Sequence, residues 1–133
     1  MIVREWKNEE IALVMQWFVQ WGFHPLPESS LPRLRLMVEY DGAPLCACCV
    51  YETDSDLAWI EWVVSDKNKS GIIRRIGVRA LVAEAKKAAA ERGFRVGVGL
   101  TPNTALQRVY EEEGFVVGDR AMTSFFCDLR RVG

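Results

Sequence analysis

The sequence is poor in histidine, in long apolar runs and in any excess of one charge. A single histidine, His24, occurs among 133 residues, too few for spaced Cys and His pairs presenting four ligands to zinc. No metal is expected. Seventeen Lys and Arg stand against eighteen Asp and Glu, a net charge of −1. The large basic excess of a protein that coats nucleic acid is therefore absent, and no nucleic-acid partner is expected. No apolar run approaches the roughly 18–20 residues that span a bilayer. Met1–Trp6 shows no basic stretch followed by an apolar one, the pattern of an export signal. The expected address is the cytoplasm, with no membrane partner.

Cysteine is present but crowded. Cys46, Cys48 and Cys49 fall in one apolar stretch, and Cys127 stands alone. On a strand Cys46 and Cys48 face one side and Cys49 the other, so they read as small reduced core residues. No histidine lies near them in sequence to activate a thiol.

Half the residues are hydrophobic and 26% are charged, enough for a packed core, and the length fits one domain over residues 1–133. Ile2–Trp6 reads as a strand. Asn8 is an expected N-cap, and Ile11, Val14, Met15, Phe18 and Val19 recur at helical spacing up to Gly22. Pro25–Pro32, with three prolines and two serines, reads as loop with room for a helical turn. Leu34–Tyr40, Asp41-Gly42 and Pro44–Glu52 read as a hairpin, with Leu57–Val64 as its third strand. Simple alternation there puts Trp59, Glu61 and Val63 on one face and Ile60, Trp62 and Val64 on the other. Ile72–Arg92 is the longest helix, Phe94–Leu100 a strand, Asn103–Glu113 a helix, and Phe115–Leu129 one or two closing strands. The order β-α-β-β-β-α-β-α-β predicts an α/β (α+β) fold, a mixed and mostly antiparallel sheet with helices on both faces.

That order, with Asn103-Thr-Ala-Leu-Gln-Arg-Val-Tyr110-Glu-Glu-Glu-Gly114-Phe115, resembles the GNAT superfamily of acetyl-CoA-dependent N-acetyltransferases. The family's late signature is an Asn opening a helix, a Tyr seven residues on, then Gly-Phe entering a strand. Arg79-Ala-Leu-Val82 followed by Arg92-Gly93-Phe94 is similar to the family's long helix and its exit.

The resemblance implies acetyl-CoA as co-substrate, with its diphosphate at a glycine-rich helix start. There the pattern departs. Aligning Arg79-Ala-Leu leaves Ile76 and Val78 at the small positions and Ile73 at the basic one. A shifted frame uses Arg74 and Gly77 but loses the last small residue. Lys67, Lys69, Arg74 and Arg75 would then neutralise phosphate in place of backbone fit; the alternatives are that the bulky β-branched side chains close the site and that these basic residues form only a solvated helix start. Asn103 would cap its helix and contact the cofactor. The strand bearing Trp62, Val63 and Val64 would pair with pantetheine and offer an N–H to the oxyanion. Tyr110 takes the general acid's position, although packing against Leu106 and Phe115 would equally explain it. Glu61 takes the base's, with an exposed or Arg-paired carboxylate as the alternative.

The implied activity is direct acetyl transfer, through a ternary complex, to an amine of a small molecule or of a protein N-terminus or lysine. The acceptor would lie between Gly22–Leu34 and Gly118–Ser124, near Trp21, Phe23, His24 and Glu28. The alternative is a catalytically inactive binding or structural protein on the same fold, resembling small bacteriophage proteins with eroded phosphate loops, some virion-associated. Five tryptophans in so short a chain would supply an aromatic patch for a homodimer.

Overall fold

The computed structural model describes residues 1–131. Five strands form one sheet in the order β1-β2-β3-β4-β5: β1 Ile2–Glu5, β2 Leu34–Tyr40, β3 Ala43–Glu52, β4 Leu57–Ser65 and β5 Val96–Gly99. The first four pair antiparallel; β5 joins β4 in parallel after a helical crossover. The helices are α1 Ile11–Gln20, α2 Gly71–Glu91 and α3 Thr104–Glu112. The predicted fold class is the observed one.

The β2–β3 hairpin turns on Asp41 and Gly42, both at positive φ (53° and 77°). Such a turn matches the twist of the strands it joins. Alternation along β3 then divides the core. Cys46, Cys48 and Val50 meet Leu81, Ala85 and Ala88 of α2. Ala47 and Cys49 meet Val14, Trp17 and Phe18 of α1. The three cysteines are thus buried on the two faces as their spacing predicts, and burial pushes the Cys46 and Cys49 thiols up to about 12. They are inert packing residues at neutral pH.

Two expectations fail. Asn8 caps nothing: Asn8–Glu10 is a 3-10 turn that follows Lys7 and has no side-chain cap. Glu10 binds this corner instead, accepting from the Lys7 N–H (2.7 Å) and from both Arg4 guanidinium nitrogens (2.8 and 2.7 Å). The closing strands over Phe115–Leu129 are also absent; the segment is irregular and ends in a 3-10 turn at Leu129–Arg131. Its apolar residues come in adjacent pairs, Val116-Val117 and Phe125-Phe126. A strand with one wet face cannot bury both members of such a pair. Val116 and Phe125 stand 92% and 88% exposed.

Among the described residues no helix is long and apolar enough to cross a membrane, and no cluster of three or more His, Cys, Asp or Glu could hold a metal ion.

Candidate active site

The site is created where β4 and β5 part. Their pairing begins at Leu57↔Val96 and ends at Ile60↔Gly99, yet β4 continues to Ser65. The extra length is bent by a bulge. Between the pairs Cys49↔Glu61 and Ala47↔Val64, Trp62 and Val63 oppose Cys48 alone, and Trp62 adopts φ 56°. A bulky residue in the left-handed region costs on the order of 1–3 kcal/mol and persists only where its surroundings hold it. Here the indole Nε1–H donates to Tyr51 Oη (3.0 Å), and Phe18 and Phe23 pack on the ring at 6.1 and 5.7 Å between centroids.

The bulge corrects the simple alternation. Ile60, expected on the face of Trp62 and Val64, packs with Val63 on the α2 side, whereas Trp62 and Val64 lie together in the α1-side core. The sequence carries no glycine there to signal the bulge.

Beyond Ile60, the gap opens into a cleft of about 480 Å³. Val63, Val64 and Ser65 form one wall; Thr101, Pro102 and Asn103 lead into α3 on the other. Gly71, Arg74, Arg75 and Val78 of α2 stand at one end, and Trp21 and Phe23 at the end of α1 close it. A smaller polar depression of about 310 Å³ lies at the opposite end of the sheet, between Glu5, Arg33, Leu34, Glu52 and Arg92.

Two helix N-termini reach the cleft. At α2, Ser70 Oγ accepts from the Ile73 N–H (3.3 Å) and the Ser70 carbonyl accepts from the Arg74 N–H (3.0 Å). Gly71 and Ile72 keep free N–H groups in that first turn. At α3, Asn103 Oδ1 accepts from the Leu106 N–H (3.0 Å), so Asn103 is both cap and cleft residue.

Tyr110 is buried at the point of parting. Its hydroxyl donates to the Ile60 carbonyl (3.5 Å), its ring meets Phe115 edge-on at 4.9 Å, and burial holds the phenol well above its ordinary pKa. Glu61, the next residue of β4, is half-buried with no hydrogen-bond or ion-pair partner among the described residues. Burial pushes its carboxyl up to about 7, the range in which a base exchanges protons at neutral pH.

The sequence-predicted residues therefore divide. Val63, Val64, Arg74, Arg75 and Asn103 line the cleft; Tyr110 and Glu61 do not, Tyr110 standing against the Ile60 carbonyl and Glu61 following Ile60 in β4. The Trp62 side chain turns away to α1. Gly77 faces the sheet, where an added Cβ would stand 2.6 Å from Leu45 Cδ2; its position is one of helix–sheet packing. Arg75 pairs with Glu112 of α3, and Arg79 pairs with Glu112 (2.8 Å) and Glu113 (3.0 Å). Ile76 points to solvent, 56% exposed, so of the bulky residues at the small positions only Val78 enters the cleft. Sequence reasoning placed Trp21 on the acceptor side, whereas it stands beside Arg74 at the cleft wall.

On the α1 face, Phe23, Trp62 and Phe126 form an aromatic group, with His24 stacked on Phe126 at 4.2 Å. Of the two segments expected to build an acceptor pocket, Gly22–Leu34 contributes Phe23 and His24 to this aromatic group, while its C-terminal contact is Phe126 and not a residue of Gly118–Ser124.

No family model matches the sequence, and no curated protein matches it. Solved structures do. A Mycobacterium tuberculosis protein crystallised in complex with CoA aligns with a TM-score of 0.75 at 16% identity, over 93% of this chain and 77% of that one. The ribosomal-protein-S18-alanine N-acetyltransferase of Escherichia coli aligns with a TM-score of 0.71 at 16% identity, covering 89% and 79%. Glucosamine-6-phosphate N-acetyltransferase from Arabidopsis thaliana aligns with 0.66 at 12% identity, covering 95% and 98%. The chain has the fold of the GNAT acetyltransferases.

Proposed function

We propose that the protein is an acetyl-CoA-dependent N-acetyltransferase that transfers the acetyl group directly to an amine. The observation that carries this reading is the parting of β4 from β5 beyond Ile60↔Gly99, with the Tyr110 hydroxyl at the apex and Glu61 one residue away. The neighbour crystallised with CoA shares that fold.

The cleft suits such a ligand. Its apolar walls, Val63, Val64, Leu106 and Val109, fit a slender amide-bearing arm. The outer edge of β4 past Ile60 leaves backbone groups without a β5 partner to pair with that arm's amides. Arg74 and the first-turn N–H groups of Gly71 and Ile72 would meet its phosphates. Bound acetyl-CoA would supply an activated acyl carbon and a thiolate leaving group.

The chain's own residues do the proton work. Glu61, ionised above about pH 7, takes a proton from the incoming ammonium, directly or through water, so that the amine attacks in its neutral form. Tyr110, kept protonated by burial, gives its hydroxyl proton to the departing sulfur as the carbon–sulfur bond breaks and recovers one from the newly acylated nitrogen, directly or through water. The aromatic group of Phe23, Trp62 and Phe126 excludes water beside the acceptor.

One observation favours a second reading, a non-catalytic protein on this fold. Gly77, the glycine that best matches the family's phosphate loop, is spent on packing against Leu45.

Thermal unfolding with acetyl-CoA, together with thiol release across a panel of amines, separates the two. A ligand at 100 times its Kd adds about 2.7 kcal/mol to stability, so a clear rise in midpoint is expected. An unchanged midpoint at millimolar acetyl-CoA ends the enzymatic reading.

A further inference from the structure

Three cations beside the mouth of the cleft, Lys67, Lys69 and Arg74, lack a carboxylate partner among the described residues, while Arg75, Arg79 and Lys86 are engaged by Glu112 and Glu113. Two of the three share one aromatic ring. Lys67 Nζ stands 4.4 Å from the centroid of the Trp21 indole, and the Arg74 guanidinium carbon 5.7 Å from it.

Trp21 is fixed independently of them. It follows the last residue of α1, and its Nε1–H donates to the Ser65 carbonyl at the end of β4 (2.8 Å). Arg74 is tethered in turn by its Nε–H to the Lys69 carbonyl (3.1 Å). Two like charges gathered at one ring repel each other. The indole face offsets part of that repulsion, and an anion bound between the cations would offset the rest.

We infer that Trp21 is a positioning residue, a platform from α1 that holds Lys67 and Arg74 as a two-cation clamp for the diphosphate of an acyl-CoA. The inference rests on the proposed acetyl-CoA reading and deepens it. The need for a clamp follows from α2 itself. With Ile73 and Arg74 N–H groups already taken by Ser70 and Gly77 turned to the sheet, backbone donors are few. Side-chain charge must supply what a glycine-rich loop otherwise would. Because Trp21 belongs to another element, phosphate recognition becomes dependent on how α1 docks against β4.

Calorimetric titration with CoA and with pantetheine, which shares the arm but carries no phosphate, tests this. Trp21→Leu is expected to weaken CoA about tenfold, the loss of two cation–π contacts, and to shift pantetheine less than twofold. Trp21→Phe keeps a ring face and should retain most CoA affinity. Lys67→Gln, at an exposed position that cannot prevent folding, should weaken CoA about fivefold, flatten its salt dependence and leave pantetheine alone. Unchanged CoA binding in both Trp21→Leu and Lys67→Gln overturns the clamp and leaves the acetyl-CoA reading standing. Equal losses for CoA and pantetheine in Trp21→Leu also overturn it, since the damage is then to the cleft wall. A wild-type protein that binds neither compound overturns the acetyl-CoA reading and, with it, the clamp.

Discussion

The ring of Tyr110 lies directly against the bare α-carbon of Gly99: a Cβ at residue 99 would stand 2.6 Å from Tyr110 Cζ and 2.8 Å from its Oη. Gly99 is also the last residue of β5 to pair with β4, opposite Ile60, whose carbonyl accepts from the Tyr110 hydroxyl. The phenol is therefore placed by a missing side chain. Gly99→Ala must push the ring off its seat, and overpacking of this kind costs roughly 1–3 kcal/mol. Urea denaturation should show that loss. Thiol release should fall as well, because the hydroxyl moves with the ring. A variant of wild-type stability and rate would show that this contact positions nothing.

Tyr110→Phe separates the hydroxyl from the ring. The ring keeps its seat on Gly99 and its edge contact with Phe115, and the lost hydrogen bond, at 3.5 Å, is at the limit of an effective one. Stability should drop by less than about 1 kcal/mol. Acetyl-CoA affinity should hold, while amine-dependent thiol release should fall on the order of 10²–10⁴-fold, the usual worth of a positioned acid. A wild-type rate would remove Tyr110 from the proton path.

Glu61 predicts two pH effects of opposite use. Its folded pKa of about 7 exceeds the ordinary carboxyl value near 4.3. Between roughly pH 4.3 and 7 the folded chain holds a proton that the unfolded chain has released, so this group's contribution to stability declines as pH rises through that window. Above pH 7 the whole cost of a charged, half-buried carboxylate is present. Glu61→Gln should then be more stable than wild type at pH 8 by about 1–3 kcal/mol, after discounting for solvent contact, and equal to it near pH 4. Activity runs the other way. A base at Glu61, as proposed, would work ionised, so kcat/KM should climb through about pH 7 in the wild type and lose that limb in Glu61→Gln. Persistence of the limb in the variant would assign it to another group.

Much of this arrangement was legible from residue spacing, and the illegible parts have physical reasons. Alternation along Cys46–Cys49 sorted the sulfurs correctly onto two faces because β3 pairs with β2 without a break there, the extra residue of the bulge lying in β4, and both faces are buried. The same rule failed at Trp62, where a bulge adds a residue and no glycine or proline announces it. Gly97 and Gly99 alternate in β5, a pattern that marks small positions under the Phe115 and Tyr110 rings. Its meaning needed the partners, which lie more than ten residues on. The basic residues near α2 looked alike in sequence. Only tertiary contacts divide them, giving Arg75 and Arg79 to the acidic end of α3 and leaving Lys67 and Arg74 over Trp21. The N-cap assigned to Asn8 failed because Glu10 satisfies the turn and Arg4 together, a longer-range competitor that local propensity does not see.

Gly77 decides how far the family's phosphate loop extends into this chain. It lies inside α2, above Leu45 and Cys46, which are 1% and 0% exposed. Alanine gains about 1 kcal/mol over glycine in a helix interior. Against that, a Cβ would sit 2.6 Å from Leu45 Cδ2 and 3.2 Å from Cys46 Sγ, and an enclosed leucine has no free rotamer to retreat into, so overpacking at roughly 1–3 kcal/mol outweighs the gain. Gly77→Ala should lower stability by about 1 kcal/mol in urea while the folded variant binds CoA within twofold of wild type, because residue 77 faces the sheet. The reverse result, an unchanged denaturation midpoint with collapsed CoA affinity, would mean that this glycine serves the diphosphate after all. The first turn of α2 would then have to unwind past Gly71 to bring its backbone to the ligand.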